Sequence, residues 1–163
     1  MSWTPPETRT AGDLLSAASY NTEVRDNLIF LHGGKTIVPI AHYGGVYTLS
    51  SSTWAAVDSA NLAPTLTLST GRVLIAFAGG FYADAAARLL SLDLEIDGTR
   101  IGGADGIIKE SLDTVLRTIS FSLFRVGLSA GSHQFKLMWK VGAGTATLAS
   151  DANFPVHLGI AEW

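Results

Sequence analysis

The sequence contains no cysteine. That absence excludes disulfide staples and thiolate-bound zinc, and it leaves the redox compartment unread. Charge is sparse as well, with 11 basic against 14 acidic residues and a formal net charge of −3. The basic residues form no cluster, so neither nucleic acid nor an anionic lipid surface is an expected partner. No apolar run approaches the roughly 20 residues that a membrane-spanning helix needs. The opening stretch from Met1 to Asp13 has no basic segment leading into an apolar one, so no Sec leader is expected and the chain reads as soluble.

Ligand and catalytic spacings are missing too. The histidines, His32, His42, His133 and His157, stand far apart, and none has a partner at helical or hairpin spacing for a metal. No serine sits in a Gly-x-Ser-x-Gly elbow. The carboxylates Asp93, Glu95, Asp97 and Asp105 match no calcium loop, and the glycines from 98 to 106 do not join a strand to a helix as a phosphate cradle does. These acids read as a solvated strand face, and His133, at a strand start, reads as a solvated turn residue. No catalytic residue, metal site or cofactor is therefore expected.

What remains is an apolar chain, 47% hydrophobic over 163 residues, enough for one core and a short appendage. The appendage comes first. Residues 1–34 hold an extended lead with Pro5 and Pro6, then a helical pattern capped by Ser16 and Gly33. Within it Leu14, Ala17, Asn21, Val24, Leu28 and Leu31 fall at spacings of 3 and 4, a heptad seam with which helices pack on one another. Tyr20 belongs to a second face. A helix this short is marginal in water until its seam is covered. Self-association, the chain's own β region and a partner protein are all open as the cover.

From residue 35 onward the period changes to two. Leu90, Leu92, Leu94 and Ile96 alternate with Ser91, Asp93 and Glu95, and Phe135, Leu137, Trp139 and Val141 alternate with Lys136 and Lys140. This predicts antiparallel strands with one wet face. Residues 72–81, "RVLIAFAGGF", form a more continuous apolar run and predict a central strand covered on both faces. Turn signals stand at Gly44-Gly45, Asp97-Gly98, Gly102-Gly103, Ser129 to Ser132 and Gly142 to Gly144. Eight to ten strands at this spacing predict a mainly β fold over residues 35–163, an antiparallel β-sandwich or jelly roll. A weak helical pattern lies near Asp105 to Thr114. Trp54, in a polar setting, and Tyr82 are candidate platforms for stacking on a sugar, although a buried strand Trp is the commoner arrangement.

The stretch "TAGDLLSAASYNTEVRDNLIFLH", after a lead with Trp3 and Pro5, resembles the opening of phage and prophage virion proteins. The matching positions are Asn21, Val24, Arg25, Asp26, Asn27, Leu28 and Leu31, with Tyr20 where the motif usually carries Trp and Ser19 where an acid is common. "EIDGTRIGG" and "GLSAGSHQFKLMWKV" are similar, more loosely, to the β regions of such proteins. The resemblance implies a structural component of a virion, whether tail-associated, fibre-like or head-attached. It also implies a homo-oligomer, frequently a trimer, with other virion proteins as partners and no catalytic residues. Leu14, Ala17, Tyr20, Asn21, Val24, Leu28 and Leu31 would then form the oligomer or anchor interface, and a host surface glycan would be a further partner. The alternative is a free carbohydrate-binding module.

Overall fold

The computed structural model describes residues 5, 8, 16–21, 37–42 and 44–163. The chain divides into two compact units, Met1–Lys35 and Thr36–Trp163. In the first, α1 (Ala17–Tyr20) is a single turn that follows Ser16, whose carbonyl accepts the Tyr20 N–H at 2.9 Å. Tyr20 is exposed and Asn21 half-buried. Leu14, Val24, Leu28, Leu31 and the expected cap Gly33 lie outside the described residues, as does the helix expected there.

The second unit is built from twelve strands: β1 (Ile37–His42), β2 (Gly45–Leu49), β3 (Ala55–Ala56), β4 (Thr65–Leu68), β5 (Val73–Ala83), β6 (Arg88–Ile96), β7 (Thr99–Arg100), β8 (Ile108–Leu112), β9 (Arg117–Arg125), β10 (Gly131–Val141), β11 (Ala146–Ser150) and β12 (Val156–Glu162). They line up as eight longer runs, because several are one run broken by a loop. β12 and β11 lie end to end along one edge of β5, pairing His157 with Ala78 and Ala149 with Gly80. β1 and β2 continue each other beside them, so Gly44-Gly45 makes a kink where the sequence suggested a reversal.

The first sheet therefore runs β1/β2, β12/β11, β5, β9, and the second runs β7/β8, β6, β10, β3/β4. Every connection between successive runs crosses from one sheet to the other except that from β6 to β7. This is the strand order of an eight-run jelly roll, which agrees with the expected fold class. The β6–β7 connection is a two-residue hairpin closed by the pair Ile96 and Thr99. Asp97 and Gly98 have φ of 50° and 83°. Positive φ at both central residues defines a type I′ turn, whose twist matches the strands it joins, and Asp-Gly is among the pairs that adopt it most readily.

The core lies between the sheets. Leu90, Leu92 and Leu94 of β6 and Phe135, Leu137 and Trp139 of β10 face Ile75, Phe77 and Phe81 of β5 and Leu158 and Ile160 of β12, all buried. Phe81 meets Trp139 edge-on with ring centroids 6.5 Å apart. Each large apolar side chain taken from water here stabilises the sandwich by about 1.5–3 kcal/mol before ordering costs.

Three expectations need correction. β5 is central in its sheet, but only its core face is fully covered: Ala76 on the other face is exposed. Residues 105–114 form no helix; Ile108–Leu112 is a strand on the open edge of β6, whose backbone groups outweigh a weak local pattern. The outward face of β6 is not wet, since Ser91 and Asp93 are buried although they alternate correctly with the leucines.

Candidate functional site

Asp93 is the centre of the first polar cluster. Between β7 and β8, Ile101 and Ile107 still bond to the β6 backbone, and residues 102–106 between them lie against the outward side of β6, where Asp93 is fully buried. The sequence alternation carried no sign of that cover. Asp93 Oδ1 accepts the N–H groups of Leu94 and Gly102, both at 2.8 Å, and Oδ2 accepts Arg100 Nη1 at 2.7 Å. Arg100 Nη1 also reaches the Gly103 carbonyl at 3.3 Å.

Trp54, just ahead of β3, sits half-exposed against the same loop. The Arg100 guanidinium lies 4.3 Å from its ring centroid and the Lys140 ammonium 4.9 Å. Lys140 Nζ in addition donates to the Ala104 carbonyl at 2.8 Å. Gly106 packs where nothing larger fits: a Cβ there would stand 2.3 Å from the Leu92 carbonyl oxygen and 2.7 Å from the Trp54 ring. The cluster thus fastens a loop, with the carboxylate matched to a cation and two amides. Glu95 pairs with Lys136 at 2.6 Å and Asp105 with Lys109 at 3.0 Å. Among the described residues no group of three or more His, Asp or Glu is placed to hold a metal ion.

The two candidate sugar platforms are not neighbours. Trp54 flanks β3 in the second sheet, and Tyr82 stands on β5 in the first, pointing away from the core that its neighbour Phe81 enters. They act separately if they act at all, and any ligand stacking on Trp54 competes with two cations for the ring.

The second polar cluster looks like catalytic machinery by residue type. His133 is buried, against the expectation of a solvated turn residue. Its Nδ1 is 2.6 Å from Asp97 Oδ2, and its Nε2 is 3.5 Å from Ser129 Oγ. The order Ser–His–Asp is that of a hydrolytic triad, but the roles fail. Nε2 is also 2.9 Å from the Ser129 backbone carbonyl, which can only accept, so Nε2 carries a proton directed at that oxygen. With Asp97 at Nδ1 and a carbonyl at Nε2, both ring nitrogens serve as donors, the arrangement of an imidazolium. A general base needs a free lone pair toward the serine hydroxyl, and this ring offers none.

The electrostatics agree. The hydrogen bond to Asp97, then that to Ser129, raises the His133 pKa above its ordinary value. The Gln134 N–H, at 2.9 Å, followed by His133, lowers that of Asp97. The trio ties the β6–β7 turn to the segment before β10. The pairing of Asp97 with His133 joins residues 36 apart in sequence, and no local spacing announces it.

A second buried acid, Glu162 on β12, accepts the Ser69 N–H at 2.6 Å, the Thr70 Oγ1–H at 2.8 Å and the Thr70 N–H. Burial opposes its charge, but these donors outweigh burial and hold its pKa below the usual carboxylate range. Beside it lies an exposed aromatic pair. Phe124, 68% exposed, meets Trp163 edge-on at 5.7 Å, and Arg72 lies 5.6 Å from the Trp163 ring. Phe124 gave no signal in the sequence, because it interrupts the alternation of β9. Among the described residues, no helix is long and apolar enough to cross a membrane.

No protein-family model matches the chain, and no curated protein matches it. Solved structures do. A structure of infectious bursal disease virus, Gx strain, matches 78% of this chain at 12% identity and a TM-score of 0.41. Dimeric latent PorU from Porphyromonas gingivalis matches 79% at 15% identity and a TM-score of 0.39. The chain spans only 36% of the first protein and 13% of the second. The carbohydrate-binding module CBM6cm-2 from Cellvibrio mixtus lichenase 5A, solved with cellotriose, matches 80% of this chain and 88% of its own at 21% identity and a TM-score of 0.35. These similarities assign the chain to no family.

Proposed function

We propose that this protein is a structural component of a phage virion, fastened through residues 1–34 and displaying a jelly roll. The observation that carries this reading is the division of the chain at Lys35. The stretch that resembles virion-protein openings ends where the jelly roll begins, so attachment and display fall to separate units. The polar clusters of the jelly roll agree with a display role, since Asp93, His133 and Glu162 each hold a loop or turn in place. A seam through Leu14, Ala17, Asn21, Val24, Leu28 and Leu31, with Tyr20 beside it, would join copies of the chain, with a trimer favoured, or join the chain to other virion proteins.

The test is incorporation. Mass spectrometry of purified particles should find the full chain, and a chain lacking residues 1–34 should fold but be absent from them. Val24→Asp with Leu28→Asp should behave like the deletion. Incorporation of the shortened chain, or particles devoid of the full one, overturns the reading.

Carbohydrate binding is the second reading, and the half-exposed Trp54 favours it. Its ring lies beside Arg100 and Lys140, a setting that suits an acidic sugar better than a neutral one. Binding on a glycan array that is lost in Trp54→Ala would support it; binding that survives the substitution would remove Trp54 from consideration.

A further inference from the structure

The two outward faces of the sandwich differ in charge. On the second sheet, outward positions set Glu95 beside Lys136 and Ser91 beside Lys140. On the first sheet no Asp, Glu, Lys or Arg stands at any outward position of β1, β2, β5, β9, β11 or β12. Its central register brings Pro39, Gly159, Ala76 and Ser122 side by side, and Leu74 stands beside Phe124 at one end. Pro39, Ala76 and Ser122 are all exposed.

The edges differ too. A sheet edge offers unpaired N–H and C=O groups to any other strand, and folds blunt it with Pro, Lys, bulges or breaks. The β1/β2 edge carries Pro39 and the kink at Gly44. The β7/β8 edge is broken by residues 101–107, and the β3/β4 edge by residues 57–64, which include Pro64. β9 alone is unbroken. It pairs with β5 in continuous register from Arg117 to Arg125, carries no Pro, Gly or Lys, and has no strand on its far side among the described residues.

We propose that the outward face of the first sheet, with the open edge of β9 at its rim, is a contact between copies of this chain. Size sets the scale: four runs at about 4.8 Å spacing and about 3.3 Å per residue along an eleven-residue strand span roughly 700 Å², and with Gly80, Thr147 and Ala149 already buried about 600 Å² is left per copy, against the ~800 Å² per partner of a standard interface. Chemistry favours a copy over another partner. The outward positions of the face hold one histidine, the exposed His157 beside Ala41 and Ala78, and no Asp, Glu, Lys or Arg with which to select an acidic, basic or anionic molecule. Meeting itself, the face brings no Asp, Glu, Lys or Arg at its outward positions against a like charge; Arg117 and Arg125 stand only at the ends of the β9 edge. The small side chains of Ala76, Ala78 and Gly159 let a second sheet approach closely.

The test uses the full chain, residues 1–34 included. Native mass should be a multiple of 17.2 kDa, and Ala76→Lys with Ser122→Lys should lower it while the far-UV spectrum stays unchanged. A monomeric wild type, or a doubly substituted protein of unchanged mass, overturns the proposal; the latter would put the contact elsewhere, including in residues 1–34. Should the lysines prevent folding, the cysteine-free background supplies a milder probe. A maleimide should react at least tenfold more slowly with Ala76→Cys than with Lys109→Cys on the opposite face. Equal rates overturn the proposal, and so does protection at monomer mass, which would make residues 1–35 the cover.

Discussion

The clamp around Asp93 makes the sharpest prediction about stability. Asp93 is fully buried and holds one cation and two amides, so its partners are unequal in what they lose when it changes. Asp93→Asn keeps the shape, and its amide oxygen can still accept from Leu94 and Gly102. The charge-assisted bond from Arg100 is lost, for about 1.5–3 kcal/mol. Asp93→Ala leaves both amides without an acceptor as well and should cost about 3–5 kcal/mol. Arg100→Met is the converse: it strands a buried carboxylate with only two amides, again about 3–5 kcal/mol. The Arg100 side chain is 28% exposed, so water softens the loss and the lower end is expected.

The decisive quantity is the coupling. Asp93→Asn with Arg100→Met removes charge and countercharge together, so the double variant should be more stable than the sum of the single losses predicts by at least about 1 kcal/mol. Urea unfolding of all four proteins, compared at matched m-values, measures it. In thermal scans each kcal/mol should appear as a shift of about 2–4 °C. Hydrogen exchange at the Gly102 amide should accelerate in Asp93→Ala before the core opens, since the loop is what the carboxylate holds. Arg100→Met losing less than about 0.5 kcal/mol, or strict additivity, would refute the claim that the pair fastens residues 101–107.

The remaining predictions concern the second cluster and the loop glycine. The His133 pKa is raised in the folded state, so its contribution is fully present below the unfolded value near 6.5 and is lost as pH rises through the folded value. Asp97 is lowered, so its contribution is present above about pH 4 and is lost as pH falls through its folded value. Stability should therefore decline as pH rises above about 6.5, and His133→Gln should flatten that decline; a His133 ring that titrates by NMR at or below 6.5 would contradict the assignment. Gly106→Ala should cost at least about 2 kcal/mol, from strain at φ 82° together with contact against Leu92 and Trp54. Gly98→Ala, at φ 83° with open space around the new methyl, meets strain alone and should cost about 1 kcal/mol. Equal losses at the two glycines would remove the steric part of the argument.

How far the sequence speaks for the fold depends on the range of the interaction that decides each feature. The β6–β7 hairpin was legible because everything that makes it lies in six neighbouring residues: two alternating strands and an Asp-Gly pair suited to the turn. The leucines of β6 and the aromatic residues of β10 were legible for the same reason, since burial on one face writes a period of two into the chain. Asp93 was not. Its place in the alternation is correct, but a loop from residues 101–107 turns the wet face into an interior, and alternation reports only which face a side chain takes, not what later covers that face. His133 failed likewise, because its partner Asp97 is brought by the pairing of β6 with β10.

The same distinction explains why the outward face of the first sheet escaped notice in the sequence. Along β5 the outward residues are Leu74, Ala76, Ala78, Gly80 and Tyr82, along β12 His157, Gly159 and Ala161, and along β9 Thr and Ser up to Phe124. Each strand by itself reads as ordinary. Only when the register sets Pro39, Gly159, Ala76 and Ser122 in a row does the shared absence of charge become visible, as a property of four runs far apart in the chain. A soluble β-sandwich ordinarily places polar or charged residues on its outward positions, as the second sheet does with Glu95, Lys136 and Lys140. The two faces differ in charge and not in polarity as such, since Thr48, Thr118, Ser120 and Ser122 are polar, and it is this missing charge on which the proposed contact between copies rests.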